Sequence, residues 1–284
     1  MDFLTSQARA IIFRMRDQYP LATWRLLRSA PADGATNMAV DEAILYAVAA
    51  GLAPPTLRFY AWQPACLSLG RAQPAGDVKL EELRIAGFGL VRRPTGGRAI
   101  LHVDELTYSV VAPEGEPRVS GGVVESYRRI SAGLIRGLEL LGVGNLAADR
   151  RVQERSANGP VCFEVPSDYE ITAGGRKLVG SAQVRSRGVV LQHGALPLEG
   201  DIARICAFLK ANATPERVRA RATTLMEALA RPVSWEEAAA ALEGGFAQAL
   251  NLRLVPGVLT AEERAWVEQL YAEKYASEQW TFMM

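Results

Sequence analysis

Three side chains of one segment could together carry out acyl transfer. Cys162 follows a glycine–proline turn in Gly159-Pro160-Val161-Cys162-Phe163-Glu164. Lys177 follows a Gly174-Gly175 turn of hairpin type, and His193 closes Val189-Val190-Leu191-Gln192-His193-Gly194. A thiolate is the attacking form of cysteine, and fixed positive neighbours favour it. A lysine ammonium aimed at an acyl carbonyl would stabilise the oxyanion that develops there. The alternative for Lys177 is a solvated strand lysine. Gly180-Ser181-Ala182 beside it is either simple close packing or the floor of an acyl slot. Ser181 lacks the Gly-x-Ser-x-Gly elbow of a nucleophilic serine. The other two cysteines read differently. Cys206 shares a helical face with Ile202, Ile205 and Leu209, and Cys66 alternates with Leu67 and Leu69 in a strand, so both belong to core.

A second cluster is Arg92-Arg93-Pro94-Thr95-Gly96-Gly97-Arg98-Ala99-Ile100-Leu101-His102. Arginines with exposed backbone amides around Gly96-Gly97 suit an anion: a nucleotide, a lipoate-type carboxylate or the phosphate of a phosphopantetheine arm. The competing reading is a surface charge cluster at a turn. His102 and His193 are the only histidines, and each closes one cluster. Neither has an evident carboxylate partner, and with no Cys-x-x-Cys pair a metal site is not expected.

The elements that must position these groups follow from periodicity. Residues 1–22 read as an N-terminal extension with a helix around Ile11-Ile12-Phe13. Trp24–Leu27 reads as a strand, Asn37–Ala50 as a helix stopped by Gly51, and Thr56–Trp62 and Cys66–Gly70 as strands. Leu90–Arg93 and Ala99–His102 read as strands flanking the Gly96-Gly97 turn. Val124, Tyr127, Ile130, Leu134, Leu138 and Leu141 recur at helical spacing and stop at Gly142. Two linked hairpins follow over Asp168–Gly194. Beyond Pro197 the chain reads as helical, with capping boxes at Ser234 and Thr260. Strands and helices mix without strict βαβ alternation, which gives an α+β class: a mixed, largely antiparallel sheet flanked by helices. No Gly/Pro/Ser linker divides residues 23–284, so one catalytic domain is expected.

Bulk properties set the remaining bounds. The 284 residues are 49% hydrophobic and 22% charged, an ordinary globular balance, with a net charge of +1. That charge favours neither nucleic acid nor a membrane surface as a partner. Three widely spaced cysteines do not make a disulfide framework, and the first residues lack the basic-then-apolar order of a signal peptide. A cytoplasmic protein is expected.

On these residues the chain resembles the biotin/lipoate protein ligase superfamily, and within it the LipM-type octanoyltransferases. The resemblance runs from about Trp24 to Trp280. It is carried by Asn37-Met38-Ala39-Val40-Asp41-Glu42-Ala43, Ser68-Leu69-Gly70-Arg71-Ala72-Gln73, the Arg92–His102 segment, Cys162-Phe163, Gly175–Gln183, Gln192-His193-Gly194 and the late Leu270–Tyr275 with Trp280. It implies a biotin/lipoate protein ligase catalytic fold. It also implies an octanoyl group moved from octanoyl-acyl carrier protein to the lipoyl-domain lysine of an acceptor such as the glycine cleavage H protein or an E2 subunit, with no cofactor. Cys162 would accept the acyl group and Lys177 polarise its carbonyl. Arg92, Arg93, Gly96, Gly97, Arg98 and His102, with Gly180, Ser181, Ala182 and His193, would line the substrate site. ATP-dependent lipoate ligases share much of the pattern but do not depend on the cysteine, and many carry an accessory domain. Amidotransferases that move octanoyl between lipoyl domains also use a cysteine; there the two histidines are expected to be replaced. A catalytically silent protein that sequesters acyl groups or lipoyl domains is the reading from another class.

Overall fold

Asp33 decides where the first long helix starts. Its carboxylate accepts from the Thr36 backbone N at 2.9 Å and from Thr36 Oγ1 at 2.8 Å. Helix α1 therefore runs Gly34–Ala49, beginning three residues before the expected Asn37. The structure, a computed structural model, describes residues 19–149, 170–210 and 214–283. The expected helix around Ile11–Phe13 lies outside the described residues, as does Cys162. Tyr19 already packs into the main core, and strand β1 (Ala22–Arg28) starts directly after it.

The further strands are β2 (Thr56–Tyr60), β3 (Cys66–Leu69), β4 (Gly89–Arg92), β5 (Ile100–His102), β6 (Glu105–Pro113), β7 (Leu146–Asp149), β8 (Glu170–Ala173), β9 (Arg176–Ser186), β10 (Val189–Pro197) and β11 (Leu252–Pro256). The other helices of ten or more residues are α2 (Val123–Leu140), α3 (Trp235–Leu250) and α4 (Ala261–Leu270). One eight-stranded sheet has the order β11-β1-β2-β6-β10-β9-β8-β7. Only β1 pairs in parallel, with β11 and with β2; every other neighbour is antiparallel. The fold is thus α+β with a mixed, largely antiparallel sheet. The three-stranded sheet β4-β3-β5 forms the opposite wall of the site.

Local chemistry explains the departures from expectation. β4 and β5 do not pair with each other. β3 lies between them, so the Arg93–Ala99 segment crosses the end of β3 instead of closing a hairpin. β11 is a strand inside a stretch expected to be helical; it extends β1 in parallel register from Ala22↔Leu252. The Thr260 capping box is complete, and the Glu263 that closes it is buried against Arg25 at 2.7 Å. At Ser234 only half the box forms, because Glu237 turns to Arg231 at 2.8 Å. Cys206 sits on a 3-10 turn (Ile202–Phe208), half-buried against the cluster that holds Ile205, while Leu209 lies beyond the turn. Cys66 is fully buried in β3, where burial pushes its thiol far above the ordinary range.

Candidate active site

A narrow cavity opens between the two sheets. Met38 of α1, Tyr60, Trp62 and Thr107 line it together with Ile100 and His102 of β5. Arg93 and Gly97 contribute from the crossover, Gly180-Ser181-Ala182 from β9 and His193-Gly194-Ala195 from β10. β9 and β10 pair Gly194 with Ser181 and His193 with Ala182, so two runs of small residues face each other. A Cβ on Gly194 would lie 2.6 Å from the Gly180 carbonyl oxygen, from Ser181 Oγ and from Tyr108 Cε1. The bare backbone at Gly194 is a packing requirement. Gly194→Ala is expected to lower stability by about 1–3 kcal/mol through overpacking. Chemical denaturation of the variant measures it, and a wild-type midpoint would refute the close fit.

Opposite the small residues, Asp41 organises a buried polar cluster. Its carboxylate accepts from Arg58 NH1 at 2.8 Å, Ser109 Oγ at 2.8 Å and Tyr60 OH at 2.9 Å, and lies 3.1 Å from His193 Nδ1. Burial alone would oppose the charge. The Arg58 guanidinium and the bond from His193 outweigh it and hold the Asp41 carboxyl below the usual carboxylate range. Burial also keeps His193 below the usual histidine range, which leaves its ring neutral at pH 7. Nδ1–H then donates to Asp41, and Nε2 accepts from Thr95 Oγ1 at 2.7 Å. Both depressed pKa values act in the same direction. Their stabilisation is complete above the unfolded values and is lost as pH falls through the folded ones, first at His193 and then at Asp41. Asp41→Asn leaves Arg58 buried without its counter-charge and is expected to cost about 3–5 kcal/mol. Denaturant melts at pH 7 measure it; an unchanged midpoint would contradict the cluster's role.

His102 is held by a second chain. Its Nδ1 lies 2.7 Å from Glu105 Oε1 and its Nε2 2.7 Å from Ser68 Oγ. Thr107 Oγ1 donates to the same Glu105 oxygen at 2.5 Å and accepts from Trp62 Nε1 at 2.8 Å. The Trp62 ring stacks on the imidazole at 3.9 Å between centroids. Arg93 NH1 donates to Ser68 Oγ at 2.8 Å, and its NH2 reaches the carbonyls of Gly96 at 2.9 Å and Arg98 at 2.8 Å. Each histidine therefore has a carboxylate partner, contrary to expectation. Glu105 stands three residues after His102, which was a readable signal. Asp41 reaches His193 across 152 residues, which was not.

The structure brings Arg93, Gly97, His102, Gly180, Ser181, Ala182 and His193 to one cavity. Gly96 and Arg98 stand beside it, their carbonyls accepting from Arg93. Arg92 does not face the cavity; its guanidinium is buried among carbonyls on the far side of β4, which corrects the expectation that it binds an anion there. Lys177 is buried on β9, three residues before Gly180, and pairs with Glu170. Arg176 is half-exposed and pairs with Glu227 at 2.7 Å. Sequence reasoning missed Met38, Tyr60, Trp62, Thr95 and Thr107 as parts of the site. Among the described residues no cluster of histidine, cysteine and carboxylate could hold a metal ion, and no helix is long and apolar enough to cross a membrane.

Comparison with known proteins agrees with this geometry. Residues 33–247 match the family model of the lipoyl protein ligase A/B catalytic domain. The chain is 48% identical to octanoyltransferase LipM of Kyrpidia tusciae, over 92% of this chain and 99% of that protein. It is 46% identical to octanoyltransferase LipM of Symbiobacterium thermophilum, over 90% and 97%. Among solved structures, lipoate-protein ligase A bound with ATP superposes with a TM-score of 0.77 at 26% identity, over 92% of this chain and 99% of that one. A bi-partite lipoate protein ligase from Thermoplasma acidophilum gives a TM-score of 0.75 at 25% identity, over 92% and 96%. The chain belongs to the lipoyl protein ligase A/B catalytic domain family, in its LipM octanoyltransferase branch.

Proposed function

We propose that this octanoyltransferase takes its acyl group from octanoyl-acyl carrier protein and passes it, in the cytoplasm, to the ε-amine of a lipoyl-domain lysine on a glycine cleavage H protein or an E2 subunit. Cys162 is the relay. Its thiolate attacks the donor's thioester carbonyl, and the carrier's phosphopantetheine thiolate leaves. The acceptor's neutral amine then attacks the acyl-enzyme; the C–S bond breaks, the departing Cys162 sulfur takes up the proton that the nitrogen loses, and an amide remains. Thioester exchange is nearly balanced and thioester-to-amide transfer runs downhill, so no nucleotide is needed. Lys177 polarises the carbonyl, and the cavity takes the acyl tail.

The observation that carries this reading is the cavity's lining. One wall is bare backbone and small side chains from Gly180 to Ala182 and at Gly194. The two imidazoles at its edge are each held by a carboxylate. That is a slot that suits an alkyl chain, with Arg93 at its wall. At ~0.8 kcal/mol per methylene, an octanoyl tail supplies about 5 kcal/mol of binding there.

The likeness to an ATP-bound ligase supports a second reading, an ATP-dependent lipoate or octanoate ligase. Sequence identity favours the transferase, since the 48% relative is an octanoyltransferase matched over nearly its whole length. Intact mass after incubation with octanoyl-carrier protein and no nucleotide separates the two. Gain of one octanoyl group supports the transferase. Acylation that requires ATP and free acid would replace it with the ligase.

A further inference from the structure

Among the described residues, Arg92 has no carboxylate partner. Its guanidinium is buried, and its bonds to the described residues all go to backbone carbonyls. NH1 donates to Gly70 at 2.9 Å, Arg71 at 3.0 Å and Gln73 at 2.7 Å. Nε donates to Trp280 at 3.1 Å and Thr281 at 3.0 Å, and NH2 to Thr281 at 2.8 Å and Met283 at 3.2 Å. One rigid fork thus joins two stretches of backbone far apart in sequence. In return Trp280 Nε1 donates to the Arg92 carbonyl at 2.8 Å. We propose that Arg92 is a positioning residue for acyl transfer: by clamping the C-terminal segment onto the Gly70–Gln73 turn, it fixes the Arg93–Gly97 wall of the acyl cavity. The substrate side of this inference rests on the function proposed above.

The Gly70–Gln73 turn is the support on which that wall rests. Arg71 N donates to the Thr95 carbonyl at 2.8 Å, and Arg93 N to Leu69 at 3.0 Å. Gly70 touches the crossover so closely that a Cβ would stand 2.0 Å from the Gly97 carbonyl oxygen. Gly97 and Arg93 line the cavity, and Thr95 carries the hydroxyl that meets His193. A shift of the turn therefore moves the wall and the imidazole's partner together.

The C-terminal segment is itself anchored at a second point. After α4 the chain makes a π-turn over Tyr271–Tyr275, a local widening often found next to functional sites. It brings Lys274 Nζ to both Glu42 oxygens, at 2.9 and 2.7 Å, and Tyr275 OH to Glu42 at 2.5 Å. Lys274 also sits over the Trp280 ring at 4.2 Å. Glu42 follows Asp41 on α1, so the helix that orients His193 also fixes the tail that Arg92 grips.

Two variants and a control test the clamp. Arg92→Lys keeps the charge but offers three donors on a flexible stem in place of a planar fork. Trp280→Phe keeps the ring and removes one donor. The control is Arg118→Gln. Arg118 makes the same kind of carbonyl bonds, to Leu250 at 2.6 Å and Asn251 at 3.2 Å, on elements that do not line the cavity. Hydrogen exchange of residues 93–100 and steady-state kinetics with octanoyl-carrier protein are measured on each full-length protein. We expect Arg92→Lys to speed exchange in that segment about tenfold and to raise KM about tenfold with kcat within about threefold, the signature of weakened binding. Trp280→Phe is expected to give a smaller change of the same kind. Arg118→Gln is expected to lower Tm without either effect. Wild-type exchange and KM in both Arg92→Lys and Trp280→Phe would overturn the clamp, and so would an equal KM rise in Arg118→Gln. If the wild-type protein takes no octanoyl group without nucleotide, the proposed function fails, while the exchange measurement still decides the clamp.

Discussion

Cys162→Ala is expected to take no octanoyl group from the carrier protein and to lose transfer by on the order of 10³-fold or more, since the relay then has no thiol to accept the acyl group. Intact mass after incubation with donor alone gives the first result, and single-turnover transfer to a lipoyl domain the second. Cys66 and Cys206 supply the internal comparison. Cys66 is buried in β3 with its thiol pushed far up, and Cys206 packs on a core cluster. Cys66→Ala and Cys206→Ala are expected to keep the mass shift even where packing loss lowers their stability. A shift that survives Cys162→Ala and disappears in either of the others would move the nucleophile.

Lys177→Ala is expected to slow transfer by about 10²–10³-fold, the loss seen when a group aimed at a developing oxyanion is removed. Arg176→Ala is expected to stay within about threefold of wild type. Successive strand residues face opposite sides. Lys177 is 3% exposed and pairs inward with Glu170, while Arg176 pairs outward with Glu227. Rates must be taken per folded molecule, because Lys177→Ala also strips Glu170 of a buried partner. A Lys177→Met variant that keeps the stem's packing separates the two effects. Equal losses for Arg176→Ala and Lys177→Ala would show that the strand faces were assigned the wrong way round.

How much of this was legible in the chain depends on the range of the forces involved. α1 and α2 were readable because glycines stop them and, in α2, apolar positions recur at helical spacing. Gly51 and Gly142 adopt φ of +70° and +93° at their ends. β6 went unread. Eight of its nine residues are buried, so it has no alternation to detect, and its place between β2 and β10 is a long-range fact. β11 was lost because its partner β1 lies more than 200 residues earlier. In the site, the glycine-rich crossover and the small residues of β9 stood out by type. Asp41 did not: beside Glu42 near a helix start it looks like an ordinary solvated acid, and only Arg58 arriving from β2 makes it the buried hub. Arg92 and Arg93 are adjacent and chemically identical, and only strand alternation sends one to the cavity and the other to the tail.

The parallel pairing of β11 with β1 has a consequence for the order in which the molecule is made. β1 leaves the ribosome early, yet one of its edges stays unpaired until Leu252–Pro256 has followed it. A nascent chain that already carries Cys162 and Lys177 therefore lacks an outer strand of the sheet, as well as α4 and the segment beyond it. Contacts of such long sequence separation form late and slow folding. The domain's closure thus waits until Leu252–Pro256 has been made, and fragments that stop short of β11 present an open strand edge to whatever chain lies nearest.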